Sequence, residues 1–182
     1  MADGILKVGQ ITTSSGSGTI TLGQSGETIN IPSGTTLSGA GTNVPAFDAY
    51  VGGSQTLTDA TATKVTFTTE RFDSDSTYDT STSRFTPGVA GKYLIYASVR
   101  AGHSNNSSLN NCTINIYKNG SSYYSLRNDH EANPPKSETQ LITEIVDSDA
   151  DDYFEIYATY DMDGVNSTVY NGLFGACKLI GA

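Results

Sequence analysis

The sequence predicts an all-β sandwich, and three observations carry that reading. Ser, Thr, Gly, Asn and Tyr dominate the chain, Trp is absent and only 16% of residues are charged. No stretch sustains apolar residues at the 3.6-residue spacing of an amphipathic helix. A ladder of anchor residues, Phe67, Asp73, Tyr78, Phe85, Gly91 and Tyr93, is separated by Ser/Thr/Asp turns. Aromatics at such intervals are what two packed sheets need to be pinned across a common core.

The ladder ends in Pro87-Gly88, a turn signal, and the chain then enters the apolar run Tyr93-Leu94-Ile95-Tyr96. Strands are expected near Ala46–Val51, Lys64–Phe67, Gly91–Arg100, Asn111–Lys118, Ser122–Arg127, Glu138–Val146, Tyr153–Tyr160 and Thr168–Ile180. Asn119-Gly120 is a strong hairpin signal, because both positions tolerate the positive φ that a tight turn demands. Acidic turns at Asp147–Asp152 and Asp161–Gly164 separate the last three strands.

Residues 1–43 form a segment apart from residues 44–182. They hold no aromatic and almost no charge, and Thr19-Ile20-Thr21-Leu22 recurs as Thr28-Ile29-Asn30-Ile31. The alternation predicts short strands with one apolar face, too thin to bury that face on themselves. Their expected role is attachment or trimerisation, through copies of the same segment or through other proteins of a larger particle. Gly39-Ala40-Gly41-Thr42-Asn43 reads as the hinge to the second part.

Net charge of -9 argues against nucleic acid as a partner, since phosphate backbones are met by basic faces. No apolar run reaches membrane-spanning length, so membrane insertion is not expected. The opening Met1-Ala2-Asp3-Gly4 lacks the basic and apolar regions of a secretory signal, which predicts a complete chain made in a cytoplasm. Cys112 and Cys177 fall on different strands without metal-ligand spacing, and are expected as two buried thiols. No grouping of nucleophile and base, paired carboxylates or phosphate-cradling loop is visible, so catalysis is not expected.

The ladder's residue types and spacing resemble the signature of the complement C1q/tumour-necrosis-factor-like domain. Tyr170-Asn171-Gly172-Leu173-Phe174 is similar to that family's final strand, and Asp151-Asp152-Tyr153-Phe154-Glu155-Ile156 to its penultimate strand. The resemblance spans roughly residues 45–182. It implies a ten-stranded jelly roll that assembles as a homotrimer about a three-fold axis. Ile95 and Ala97 depart from the pattern's aromatics, at positions expected to bear on packing at the subunit interface. Residues 11–34 resemble the Ser/Thr/Gly β-repeats that open tail-fibre and other virion proteins of marine bacteriophages. No collagen-like stalk is present.

Strand parity places alternate loops at opposite ends of a sandwich. It groups residues 101–110, 128–136 and 161–167 at one distal end, with the acidic turn and Asn119-Gly120 at the base. The candidate receptor-binding residues are therefore His103, Asn105, Asn106, Asp129, His130, Asp161, Asp163 and Asn166. The two histidines are otherwise read as ordinary exposed loop residues. Calcium is the one cofactor suggested, with Asp161 and Asp163 as its ligands, because the resemblance implies sites near the axis where carboxylates from three copies gather. The run Asp147, Asp149, Asp151 and Asp152 is expected as a solvated turn. The resulting expectation is a phage tail fibre or spike whose trimeric head recognises a host-surface glycan or protein. The alternative is a capsid decoration or tail adaptor without adhesive function.

Overall fold

A computed structural model describes residues 45–105 and 107–179, together with the single positions 11, 28 and 30. The repeats expected at 19–22 and 28–31 lie outside the described residues apart from Thr28 and Asn30, as do the hinge and Asn106. The chain divides into two compact units, Met1–Ala40 and Gly41–Ala182, and every strand among the described residues belongs to the second.

There are twelve such strands and no helix: β1 (Ala46–Tyr50), β2 (Gln55–Leu57), β3 (Thr63–Lys64), β4 (Thr69–Asp73), β5 (Tyr78–Asp79), β6 (Arg84–Phe85), β7 (Gly91–Gly102), β8 (Asn111–Lys118), β9 (Ser121–Asp129), β10 (Ser137–Ser148), β11 (Phe154–Asp161) and β12 (Ser167–Lys178). One sheet runs β10-β7-β12-β1-β4, with β2 also on β12. The other runs β5-β6-β11-β8-β9, with β3 also on β11. The chain passes repeatedly between the sheets and all pairings are antiparallel, the topology of a jelly roll.

Seven of the eight expected strands reappear, Asn111–Lys118 with the same bounds and the other six with ends shifted by one or two residues. The expected Lys64–Phe67 strand does not form as such. Thr63–Lys64 is a two-residue pairing with β11, and Val65 and Phe67 instead drop their side chains into the core. The ten-strand expectation gives way to twelve because β2, β3, β5 and β6 are pairings of two or three residues. Segments that short carry no alternation by which a sequence could announce them.

The ladder is the middle of the core. Tyr78 stacks on Phe47 at 4.5 Å, Phe47 on Phe85 at 4.7 Å, and Phe85 meets Tyr93 edge-on at 5.8 Å. Phe67 leans on Phe174 of β12 at 5.6 Å. Asp73 is the ladder's turn-former: one carboxylate oxygen accepts the Tyr78 N–H at 2.8 Å and the other accepts the Thr77 hydroxyl at 3.2 Å. The Tyr78 hydroxyl in turn donates to the Phe67 carbonyl, so the aromatic body is buried without an orphaned polar tip. Gly91 is a glycine for a local reason. Its φ is +153° and the Lys178 stem occupies the space a Cβ would fill.

Ile95 and Ala97, expected to bear on packing at the subunit interface, lie inside the sandwich of the chain itself. In β7 the inward set is Tyr93, Ile95, Ala97, Val99 and Ala101, and Ile95 is fully buried. Smaller side chains there adjust the fit between the sheets, not the outer face. Of the two cysteines, Cys112 is buried between the sheets and accepts a hydrogen bond from Gln140, and burial pushes its thiol up to about 12. Cys177 is only half-buried, because β12 turns it outward beside Leu94.

Candidate functional site

Two surfaces of the head stand out, an end built of loops and a sheet face built of apolar side chains. At the loop end, connections distant in sequence are bonded to one another. His130 N–H donates to the Asn110 carbonyl at 2.7 Å, Asn110 N–H to Asp161 at 2.8 Å, and His103 N–H to Lys136 at 2.8 Å. The Ser108 hydroxyl donates to the Met162 carbonyl at 2.8 Å. The 102–110, 130–136 and 162–166 connections therefore meet at one end of the sandwich. A fourth partner is Asp59, whose carboxylate accepts the N–H groups of Met162 at 2.6 Å and Gly164 at 2.8 Å. Asp59 braces this end and is not recognisable in the sequence as anything but a turn residue.

The candidate residues do not all present themselves there in the expected way. Asp129 and Asp161 are the last residues of β9 and β11, not loop tips. The Arg127 guanidinium binds Asp129 at 2.7 Å and holds its carboxyl below the usual carboxylate range. His130 is half-buried, with Nε2 turned toward Glu138 at 3.4 Å, so it is not an exposed rim histidine. His103 is also half-buried, with Nδ1 accepting the Asn105 N–H at 3.3 Å. Asn105, Asp163 and Asn166 are exposed, and Asn166 accepts the Asp59 N–H. Asn106 lies outside the described residues.

The Asp161 oxygens accept from Asn111 at 2.8 Å and from the Asp163 N–H at 3.3 Å. Among the described residues, no three His, Cys, Asp or Glu side chains gather as metal ligands. A calcium ion wants six to eight oxygens, which these two residues alone do not supply. The acidic turn at the opposite end is also more than a solvated loop. Asp152 is buried: burial opposes its charge, but Lys118 at 2.7 Å and Asn119 at 2.6 Å outweigh that and hold its carboxyl low.

The second surface is the outer face of the sheet β10-β7-β12-β1-β4. Register places Leu141, Ser98, Leu173 and Tyr50 in one row across it. Ile145, Leu94, Cys177 and Ala46 form another. Leu141 is 66% exposed, Ile145 53% and Phe72 52%. At the edge of the other sheet, β9 exposes Tyr124 and Leu126 as a second apolar patch. This face is legible in β10, where Leu141-Ile142 and Ile145-Val146 are adjacent apolar pairs. A strand with one wet face alternates; one apolar on both sides does not.

No protein-family model matches the chain, and no curated protein sequence matches it. Solved structures do. The globular domain of zebrafish complement 1qA superposes with a TM-score of 0.55 at 16% identity, covering 76% of this chain and 98% of that one. The Eiger TNF structure from S. frugiperda gives 0.53 at 13% identity, covering 76% and 95%. The head therefore has the C1q/TNF-like jelly-roll fold.

Proposed function

We propose that this protein is a homotrimeric structural component of a bacteriophage virion, a tail fibre or spike whose head recognises a glycan or protein on the host surface. The observation that carries the proposal is the contrast between the head's two surfaces. The apolar sheet face and the apolar β9 edge are different patches on one protomer. Patches of that kind match each other heterologously, and a rotation of one third of a turn between copies closes such contacts into a ring of three. The loop end, polar and braced, stays free for contact with a receptor, and three copies on one rigid head supply avidity. Residues 1–43 attach the trimer to other virion proteins, a role supported by the resemblance of their Ser/Thr/Gly repeats. The activity is binding, without catalysis, nucleic acid or membrane insertion.

Calcium enters this reading as a bridge between copies, with Asp161 and Asp163 of neighbouring protomers supplying the oxygens that one protomer lacks. The test of the whole proposal is replacement of the 103–109 and 131–135 loops in assembled particles. Loss of adsorption by particles of normal composition is the expected result. Normal adsorption with failed or fragile assembly assigns the trimer to a decoration or adaptor role instead.

A further inference from the structure

Of the ten lysines and arginines, Lys7 lies outside the described residues. Six of the other nine pair with carboxylates: Lys64, Arg71, Arg84, Lys92, Lys118 and Arg127. Among the described residues, Arg100, Lys136 and Lys178 pair with none. In a chain of net charge -9, an unmatched cation is the exception, and two of the three line one pocket. The pocket holds about 380 Å³ and is walled by Arg100, His103, Ser104, Lys136, Ser137 and Tyr170. That volume falls within the range of about 300–1,000 Å³ in which small ligands are bound.

Three features of the backbone build it. The register between β7 and β12 slips between Val169 and Asn171, leaving Tyr170 as the extra residue of a bulge. Bulges re-aim side chains, and this one sets the Tyr170 ring 5.7 Å from the Arg100 guanidinium. Gly102 allows the Lys136–Ser137 segment to close on the sheet end: a Cβ there would lie 2.2 Å from the Lys136 carbonyl oxygen and 2.5 Å from Ser137 Cα. The His103 N–H then ties down that same carbonyl. Glu138, the nearest acid in sequence, accepts a hydrogen bond from Asn128 at 3.1 Å and belongs to the opposite side of β10 from Thr139, which pairs with Arg100. The pocket sits where the apolar rows of the sheet face give way to polar residues, the rim and not the centre of that face.

We propose that this pocket binds one acidic sugar unit of a surface glycan. Arg100 and Lys136 receive the carboxylate, the Ser104 and Ser137 hydroxyls bond sugar hydroxyls, and the Tyr170 ring packs on the apolar face of the pyranose. A polyanion is disfavoured, because the surrounding negative field repels an extended chain of phosphates while one local anion is still held. The inference rests on the receptor reading and narrows it to an acidic glycan.

The test uses the full-length protein, with calorimetry and saturation-transfer NMR. The probes are glucuronate and N-acetylneuraminate, with methyl glucoside as neutral control and inorganic sulfate as a bare anion. Saturable binding of an acidic sugar, absent for methyl glucoside, is expected. The double variant Arg100→Gln, Lys136→Gln should weaken it by roughly tenfold or more, the effect of losing charge-assisted hydrogen bonds. Tyr170→Ala should weaken the sugar but not sulfate, and Lys178→Gln should change neither. Sedimentation and melting curves verify that each variant keeps its fold and assembly. No saturable binding of either acid, or undiminished binding by the double variant, overturns the proposal. So does sulfate binding as strong as the sugars and indifferent to Tyr170→Ala. Particles carrying the double variant that lose the sugar yet adsorb normally overturn the receptor reading and leave the pocket standing. A wild-type head that binds neither acid, on particles whose adsorption depends on the loops, overturns the pocket alone.

Discussion

Tyr96 lies across Gly175 and donates its hydroxyl to Asp48 Oδ2 at 2.9 Å, in the middle of the outer sheet face. The other Asp48 oxygen accepts from Arg71 at 2.7 Å, so a carboxylate only 7% exposed is satisfied by two donors. The ring fits because residue 175 has no side chain: a Cβ there would lie 2.3 Å from the Tyr96 ring. Gly175→Ala should therefore lift Tyr96 off the sheet and part it from Asp48. Overpacking of this kind costs about 1–3 kcal/mol, read as a lower urea midpoint at unchanged slope. Tyr96→Phe, which keeps the ring and removes the donor, should cost only about 1 kcal/mol.

The apolar face also makes the proposed trimer testable from one strand. Leu141→Asp with Ile145→Lys places charges at the two most exposed apolar positions of β10 without touching its inward set. Sedimentation should show the mass of one protomer, with the β-sheet circular dichroism of the wild type. A double variant that still sediments as a trimer would remove this face from the interface.

How far the sequence could be read depends on length scale. Phe67, Tyr78, Phe85 and Tyr93 could be read as a core because large aromatics at turn-separated intervals have few other uses, and long strands such as β8 announce themselves by alternation. What could not be read depended on contacts between distant segments. Asp59 reaches Met162 and Gly164 across the fold, and nothing near Asp59 in the chain marks it. The Arg100–Tyr170 pairing exists only because a bulge in β12 shifts the register by one residue. The histidines were visible as loop residues, but their half-burial follows from how three loops pack together, which no single loop encodes.

Asp73 gives a test of the ladder's only acidic member. Its two oxygens hold the turn that delivers Tyr78 to the core, accepting from Tyr78, Thr77 and, at 3.3 Å, the Asp75 N–H. Asp73→Ala strips these bonds while leaving every aromatic in place. A loss of about 2 kcal/mol is expected, the scale of hydrogen bonds to a charged acceptor, measured by chemical denaturation.

Calcium has a cleaner signature in assembly than in a single chain. If Asp161 and Asp163 bind it between copies of the proposed trimer, a chelator should lower the thermal midpoint of the wild-type protein and leave that of the Leu141→Asp, Ile145→Lys variant unaffected. An unchanged wild-type midpoint removes calcium from the proposal.

Alkaline pH should expose the role of the buried tyrosines. Burial raises the phenol pKa of Tyr160 and Tyr78 well above the ordinary value of 10.0, and burial together with the hydrogen bond to Asp48 does the same for Tyr96. The fold thus favours the neutral, protonated phenol. Below pH 10 both folded and unfolded chains are protonated, and the stability these groups contribute is fully present. Above it the unfolded chain loses protons that the folded chain keeps, so stability falls as pH rises toward the folded values. Near-ultraviolet titration should accordingly show this buried set ionising only as the protein unfolds. Tyr160→Phe should flatten the pH dependence of the melting temperature above pH 10. It should also cost stability at neutral pH, since its hydroxyl donates to the Val99 carbonyl at 2.9 Å between the sheets. An unaltered slope above pH 10 would show that Tyr160 does not set the alkaline limit.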